Sequence, residues 1–329
     1  MKLLHINSTP GRTLLAAAAI VMLSGCALLA PPHMYNDFMV IKAKPWDSFS
    51  SLARKYLRDP SQGWIIAEFN DLESLSSGRD IVIPLKPYNR GGLTKSSYQT
   101  VPVLAYHRFA HTASSKTIVS KAAFEQQMRF LKESGYRVIS VGQLIRFLEF
   151  NDQLPDRSVV ITVDDGWSSF YEIAYPILQK YGFTATIFLY TDFVGGGKGL
   201  SWEQIRELDK NGYDIQCHTK SHRSLTKLKE GKSFPDYLKL VEREIIEPKL
   251  LISRKIGKQC RYLAYPFGDM NPLILALLQK HGYRAAFTVN RGSNPFFTNR
   301  YMINRCVIYG NYDLKKFKRN LAVLKKSSR

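Results

Sequence analysis

Two neighbouring carboxylates and two histidines are the side chains of this sequence best placed to do chemistry together. Asp164 and Asp165 end the β-branched run Val159-Val160-Ile161-Thr162-Val163 and are followed at once by Gly166. Such a run reads as a strand buried on both faces. The carboxylates therefore fall at its C-terminal end, where the loops of a parallel α/β sheet converge on one crevice. Asp-Gly is also common turn punctuation, so the pair by itself fits a plain turn equally well. A second short strand, Asp214-Ile215-Gln216-Cys217, ends in His218, with His222 four positions on. Two histidines so spaced can offer neutral imidazole nitrogens to one metal ion, although an unsupported pair is more often surface. An oxygen from Asp165 supplies the support. It completes a two-histidine, one-carboxylate face and leaves positions open for water and substrate. Zn is the expected ion, and Co, Ni or Fe suit the same donors.

The elements that must bring these residues together alternate regularly. Val101 to Ala105 form an apolar strand that runs into Tyr106 and His107. A helix over 121–134, with Phe124, Met128 and Leu131 as its buried stripe, leads to a strand at 135–139, and a helix over 141–150 leads to the Asp-Asp strand. A helix over 171–181, a strand over 184–190 and a helix over 202–210 then precede the histidine-bearing strand. Alternation of this kind predicts a parallel sheet, and polar residues gathered on one rim predict its closure into a barrel. Gly195-Gly196-Gly197 lacks the Gly-Lys-Ser/Thr ending of a phosphate loop and reads as a flexible rim loop.

Thr162-Val163-Asp164-Asp165-Gly166, His218-Thr219-Lys220-Ser221-His222 and Ala264-Tyr265-Pro266-Phe267-Gly268 stand in the order of three motifs of a known family. The segment from about Val101 to Val307 resembles the NodB-type polysaccharide deacetylases, carbohydrate esterase family 4. The resemblance implies an α/β fold, a distorted barrel of about seven parallel strands. It also implies a metal on Asp165, His218 and His222, with Asp164 as the catalytic base and the backbone N–H of Phe267 facing the oxyanion. Removing an acetyl group from an amine needs such a base, a charge partner for the oxyanion and a proton for the departing nitrogen. The side chains of Tyr265 and Phe267 also fit as core aromatics.

Two departures from the family pattern matter. Many members carry the general acid in a late Leu-x-His motif, yet the matching strand here reads Asn304-Arg305-Cys306-Val307-Ile308. Of the seven histidines, His107 is the one left at a strand end, and His111 is a weaker substitute. The setting Pro102-Val103-Leu104-Ala105-Tyr106-His107 resembles the poly-N-acetylglucosamine deacetylase branch, where the acid comes from an early strand. Ala264 also stands where an arginine is common, and Arg305 is taken as the group orienting Asp164.

The flanks complete the organisation. Lys2 and Arg12 precede an apolar run of about ten residues, the size of a signal-peptide core and too short to span a bilayer. Leu23-Ser24-Gly25-Cys26 resembles a bacterial lipobox, which implies a signal peptide over 1–25, lipidated Cys26 as membrane anchor and a tether over 26–38. Ala27 resembles the outer-membrane sorting pattern, facing the periplasm in a cell with two membranes. Residues 39–86 read as strand, helix, helix, strand, behind Asp47 or Ser48 as helix cap. Asn70 after the second helix and Ile83-Pro84 at the close resemble a LysM domain, which implies binding to N-acetylglucosamine glycans; Trp46 replaces the usual glycine. A linker over 87–100, the deacetylase domain over 101–313 and a basic tail over 314–329, read as a solvated helix face, follow.

Loss of Lys2 and Arg12 takes the formal charge from +20 to +18. That excess suits anionic envelope surfaces or glycans; no nucleic-acid motif is present. Of the remaining cysteines, Cys217 reads as a small core residue, and a Cys260–Cys306 bridge is compatible with the sequence. The expected function is metal-dependent N-deacetylation of N-acetylglucosamine polysaccharide, either exopolysaccharide or peptidoglycan, in the cell envelope. The alternatives are a catalytically inactive glycan-binding lipoprotein and an O-acetyl esterase on the same scaffold.

Overall fold

A computed structural model describes residues 32–35, 37–85, 91–93, 97–227 and 233–326. The leader, Cys26 and most of the tether lie outside the described residues, as does much of the expected linker. The chain divides into two units, one ending at Asn89 and the other beginning at Arg90. Among the described residues no helix is long and apolar enough to cross a membrane.

In the first unit, strands β1 (His33–Met34), β2 (Phe38–Lys42) and β3 (Asp80–Pro84) form an antiparallel sheet. Between β2 and β3 the chain makes a helix at Phe49–Leu52 that continues through Ala53–Leu57, then a second at Gly63–Phe69. Ser48 caps the first through a capping box with Ser51, which satisfies two otherwise orphaned amides. Asn70 ties the second helix to the sheet: its Nδ2 donates to the Val82 carbonyl at 2.7 Å and its Oδ1 accepts from the Val82 amide at 2.8 Å. Gly63 lets the helices touch by backbone, since a Cβ there would lie 2.9 Å from the Phe49 carbonyl carbon.

The second unit opens with β4 (Ser97–Tyr106), which starts four residues earlier than the sequence suggested. Two short strands follow, β5 (Arg108–Ala110) and β6 (Ile118–Ser120), and then β7 (Arg137–Val138). The site-bearing strands are β8 (Ser158–Asp165), β9 (Thr186–Leu189), β10 (Asp214–Cys217), β11 (Tyr262–Ala264) and β12 (Ala285–Phe287). They pair in parallel in the order β12-β11-β10-β9-β8-β4. The sheet is curled rather than a closed ladder. After β13 (Ser293–Pro295), the segment carrying β14 (Cys306–Val307) touches both of its ends: β14 pairs with β4, and Ile303 bridges Phe287 of β12.

Both faces of β8 are buried, which is why its sequence is unbroken and apolar. Val159, Ile161 and Val163 pack into the larger core with Phe124 and Ile187, whereas Val160 packs with Val101, Val103 and Phe188 on the other side. The helices at Lys121–Glu133, Val141–Leu148 and Trp202–Lys210 agree closely with the periodicity in the sequence. The longest helix, Phe234–Ile256, was not anticipated.

The basic tail has the solvated helix face that the sequence suggests, with Lys315, Lys316 and Lys318 exposed, and it also packs on the fold: the short helix at Leu314–Lys318 buries Phe317, and β15 (Leu324–Lys326) pairs with β4. Its lysines masked two anchors, Phe317 and Leu321, both of which are buried. Cys260 and Cys306 do not pair; with Cys217 they are buried free thiols. The segment after the triple glycine lies beside the Asp-Asp-Gly turn, the Leu200 amide donating to the Gly166 carbonyl and the Ser168 amide to that of Lys198.

Candidate active site

The expected residues converge at the C-terminal ends of the parallel strands. His107 follows β4, Asp164 and Asp165 end β8, His218 follows β10, and Phe267 lies in the turn Pro266–Gly268 after β11. Arg305 enters from the segment before β14. The chain turns sharply after β8, with Asp165 at φ 75° and Gly166 at φ 87°. Gly166 is required there, since a Cβ would sit 2.6 Å from Leu189 Cδ2. Thr219, His222 and Phe267 also adopt left-handed backbone, at φ 69°, 58° and 61°. Non-glycine residues in that region store strain and cluster at functional sites.

The two carboxylates have opposite surroundings. Asp164 is buried, and Arg305, fully buried beside it, clamps both oxygens: Nη1 donates to Oδ1 at 2.7 Å and Nη2 to Oδ2 at 2.8 Å. Arg305 is itself held by Nε donating to the Thr288 carbonyl at 2.8 Å. Burial pushes the Asp164 carboxyl up, but Arg305, His218 and His107 more than offset it and hold it below its ordinary value. Asp165 has one oxygen anchored, with Trp167 Nε1 donating to Oδ2 at 3.0 Å. Its other oxygen, Oδ1, is buried without a hydrogen-bond partner. Burial raises this carboxyl too, and the His222, His218 and His107 imidazoles outweigh it and hold it well below the usual range.

That orphaned Oδ1 lies 3.5 Å from His218 Nε2 and 3.3 Å from His222 Nε2. The Nδ1 of His218 is 2.7 Å from the Ala264 carbonyl. A carbonyl can only accept, so Nδ1 carries a proton and neutral His218 presents an Nε2 lone pair to Oδ1. Burial lowers the pKa of this imidazole against the pull of Asp164 and Asp165, which favours the neutral form. Acceptors turned toward one another at such distances repel unless a cation lies among them. The donor atoms of Asp165, His218 and His222 all lie within 4.8 Å of one another, and this three-residue set fits a divalent ion.

His107 belongs to the same cluster. Its Nε2 is 3.9 Å from Asp164 Oδ2, while its Nδ1 is buried without a partner. His111 is exposed. Tyr265 is structural, as its buried hydroxyl donates to the Tyr301 carbonyl. Phe267 is 63% exposed rather than part of the core, and its ring stands edge-on to His222 at 4.9 Å between centroids. The sequence reading missed Trp167 as the anchor of Asp165 and the Ala264 carbonyl as the group that sets the His218 tautomer. The first could have been suspected from its place beside Asp-Asp-Gly; the second is a backbone atom and leaves no signal in residue types.

Residues 151–286 match the polysaccharide deacetylase family. A poly-beta-1,6-N-acetyl-D-glucosamine N-deacetylase of Staphylococcus aureus is 28% identical over 206 residues, covering 60% of this chain and 71% of the relative. Among solved structures, the Streptococcus pyogenes deacetylase PplD in complex with acetate aligns with a TM-score of 0.62 and 26% identity, covering 68% of this chain and 98% of that one. IcaB from Ammonifex degensii aligns with a TM-score of 0.58 and 28% identity, covering 64% and 92%. With a rim of this construction and these relatives, the chain is an enzyme whose residues 151–286 match the polysaccharide deacetylase family.

Proposed function

We propose that this protein removes N-acetyl groups from N-acetylglucosamine-containing polysaccharide in the bacterial cell envelope, in a metal-dependent hydrolysis. The observation that carries the reading is the buried, unpartnered Oδ1 of Asp165 facing two imidazole nitrogens, with a second, arginine-clamped carboxylate beside it. A divalent cation on Asp165, His218 and His222 would polarise the acetyl carbonyl and acidify a water. Asp164, kept ionised by Arg305, accepts the proton of the attacking water, and the clamp fixes the direction from which it does so. His107, on the same cluster, hands a proton to the departing amine, so that glucosamine rather than its anion leaves. The Phe267 amide, held out on its strained turn, faces the oxyanion.

The histidine from an early strand favours an exopolysaccharide substrate, as does the likeness to the Staphylococcus aureus deacetylase. The LysM-like unit serves in this reading to hold the enzyme on its glycan, and lipidated Cys26 to hold it on a membrane. Acetate release from an N-acetylglucosamine oligomer tests the reading. We expect release that stops with a chelator and returns with Zn(II). No release from N-acetylated oligomers, or release only from O-acetylated ones, overturns it.

A further inference from the structure

The loop bearing the second histidine packs on the helix Phe234–Ile256, which carries none of the motifs; Glu247 of that helix pairs with Lys220 Nζ at 3.2 Å, and Glu244 holds the loop's backbone. Glu244 is 1% exposed. Its Oε2 accepts from the amides of Lys220 at 3.1 Å and Ser221 at 2.8 Å. Its Oε1 accepts from Ser221 Oγ at 2.7 Å and pairs with Arg223 Nε at 3.1 Å. The backbone carbonyl of Glu244 accepts from the Lys220 amide as well, at 3.0 Å. In a regular helix that carbonyl would be taken by the amide of residue 248. Residue 248 is proline and has no amide to give. The proline therefore frees a carbonyl on the face that meets the loop, and the glutamate side chain joins it on the same amide. Between His218 and His222 the loop passes through two left-handed residues, Thr219 and His222. Such conformations persist only where the surroundings over-determine them. The His222 amide is tied back to Thr219 Oγ1 at 3.1 Å, and the amides between these residues go to Glu244.

We infer that Glu244 and Pro248 form one positioning device for the metal ligand His222, the carboxylate and the proline-freed carbonyl together holding the 219–222 loop in its strained, ligating conformation. This inference rests on the metal-site reading above. A purely structural role for the pair makes a different prediction, and Pro248→Ala separates them. Alanine restores an amide that competes for the Glu244 carbonyl and is also the better helix former.

The test strips the full chain of metal with a chelator and titrates it with Co(II), followed by visible absorption, alongside the thermal midpoint of the metal-free protein. Glu244→Gln should weaken Co(II) binding by about 10- to 100-fold, the usual effect of losing a group that orients a ligand. Pro248→Ala should weaken it several-fold while the metal-free midpoint holds or rises, so that affinity and stability move apart. Co(II) affinity within about twofold of the parent protein in both variants overturns the inference while leaving the metal site standing. If Glu244→Gln does not fold, Pro248→Ala decides alone. Failure of the parent protein to bind Co(II) overturns the metal-site reading and this inference with it.

Discussion

At the scale of the residue, Asp164 and Asp165 show how two adjacent carboxylates take different roles from their surroundings. One is satisfied on both oxygens by a single guanidinium; the other has one oxygen on an indole N–H and one left facing imidazoles. Arg305→Ala leaves Asp164 buried without its partner, which costs about 3–5 kcal/mol. In the native protein the Asp164 carboxyl is lowered on folding. Its contribution is therefore present above the unfolded value of about 3.9 and is lost as pH falls through the lower folded value. Removal of the guanidinium should reverse the shift, so the deficit of Arg305→Ala in denaturant melts should be largest near neutrality and shrink toward acid pH. An equal deficit across the range would show that the pair is not electrostatic in its effect. His107→Ala should lower kcat by about 10²–10⁴, the range of general acid catalysis, with Co(II) affinity retained. Loss of the metal would instead assign His107 to its binding.

At the scale of the element, the carboxylates and histidines arrive from the ends of three parallel strands, β4, β8 and β10, so the curl of the sheet matters more than the length of any strand. Arg305 and Asp164 are 141 residues apart and meet because the segment before β14 lies between the two ends of that sheet. The C-terminal residues brace the same strand that delivers His107 through β15 on β4, and pack on the helix Lys121–Glu133 through Phe317 against Phe130. Phe317→Ala should therefore destabilise the second unit by about 3–5 kcal/mol, as for a buried phenylalanine elsewhere. A change below about 1 kcal/mol in its denaturant midpoint would place the tail outside the cooperative unit.

At the scale of the whole molecule, the proposed envelope location depends on the first residues of the chain. Cys26→Ser should shift the protein from the membrane pellet to the soluble fraction and abolish labelling with a fatty-acid probe. Retention in the pellet at low and at high salt would exclude the lipid anchor, and release by salt alone would point to the chain's net positive charge, whose attraction is screened.

The strand and helix order, the Asp-Asp-Gly turn and the histidine pair were legible in the sequence because they depend on local properties. Side-chain period, β-branching and turn chemistry act over a few residues, and clustered polar groups at strand ends break an apolar pattern visibly. The helix Phe234–Ile256 and the anchoring of the tail were not, because a few buried residues among many charges carry them. What only the tertiary structure decided was which distant groups meet: Arg305 on Asp164, the Ala264 carbonyl on His218 and Glu244 on the loop before His222. Those contacts depend on how a twisted sheet curls and how a helix lies across it. Neither backbone carbonyls nor long-range pairings leave a periodic trace in the order of residues.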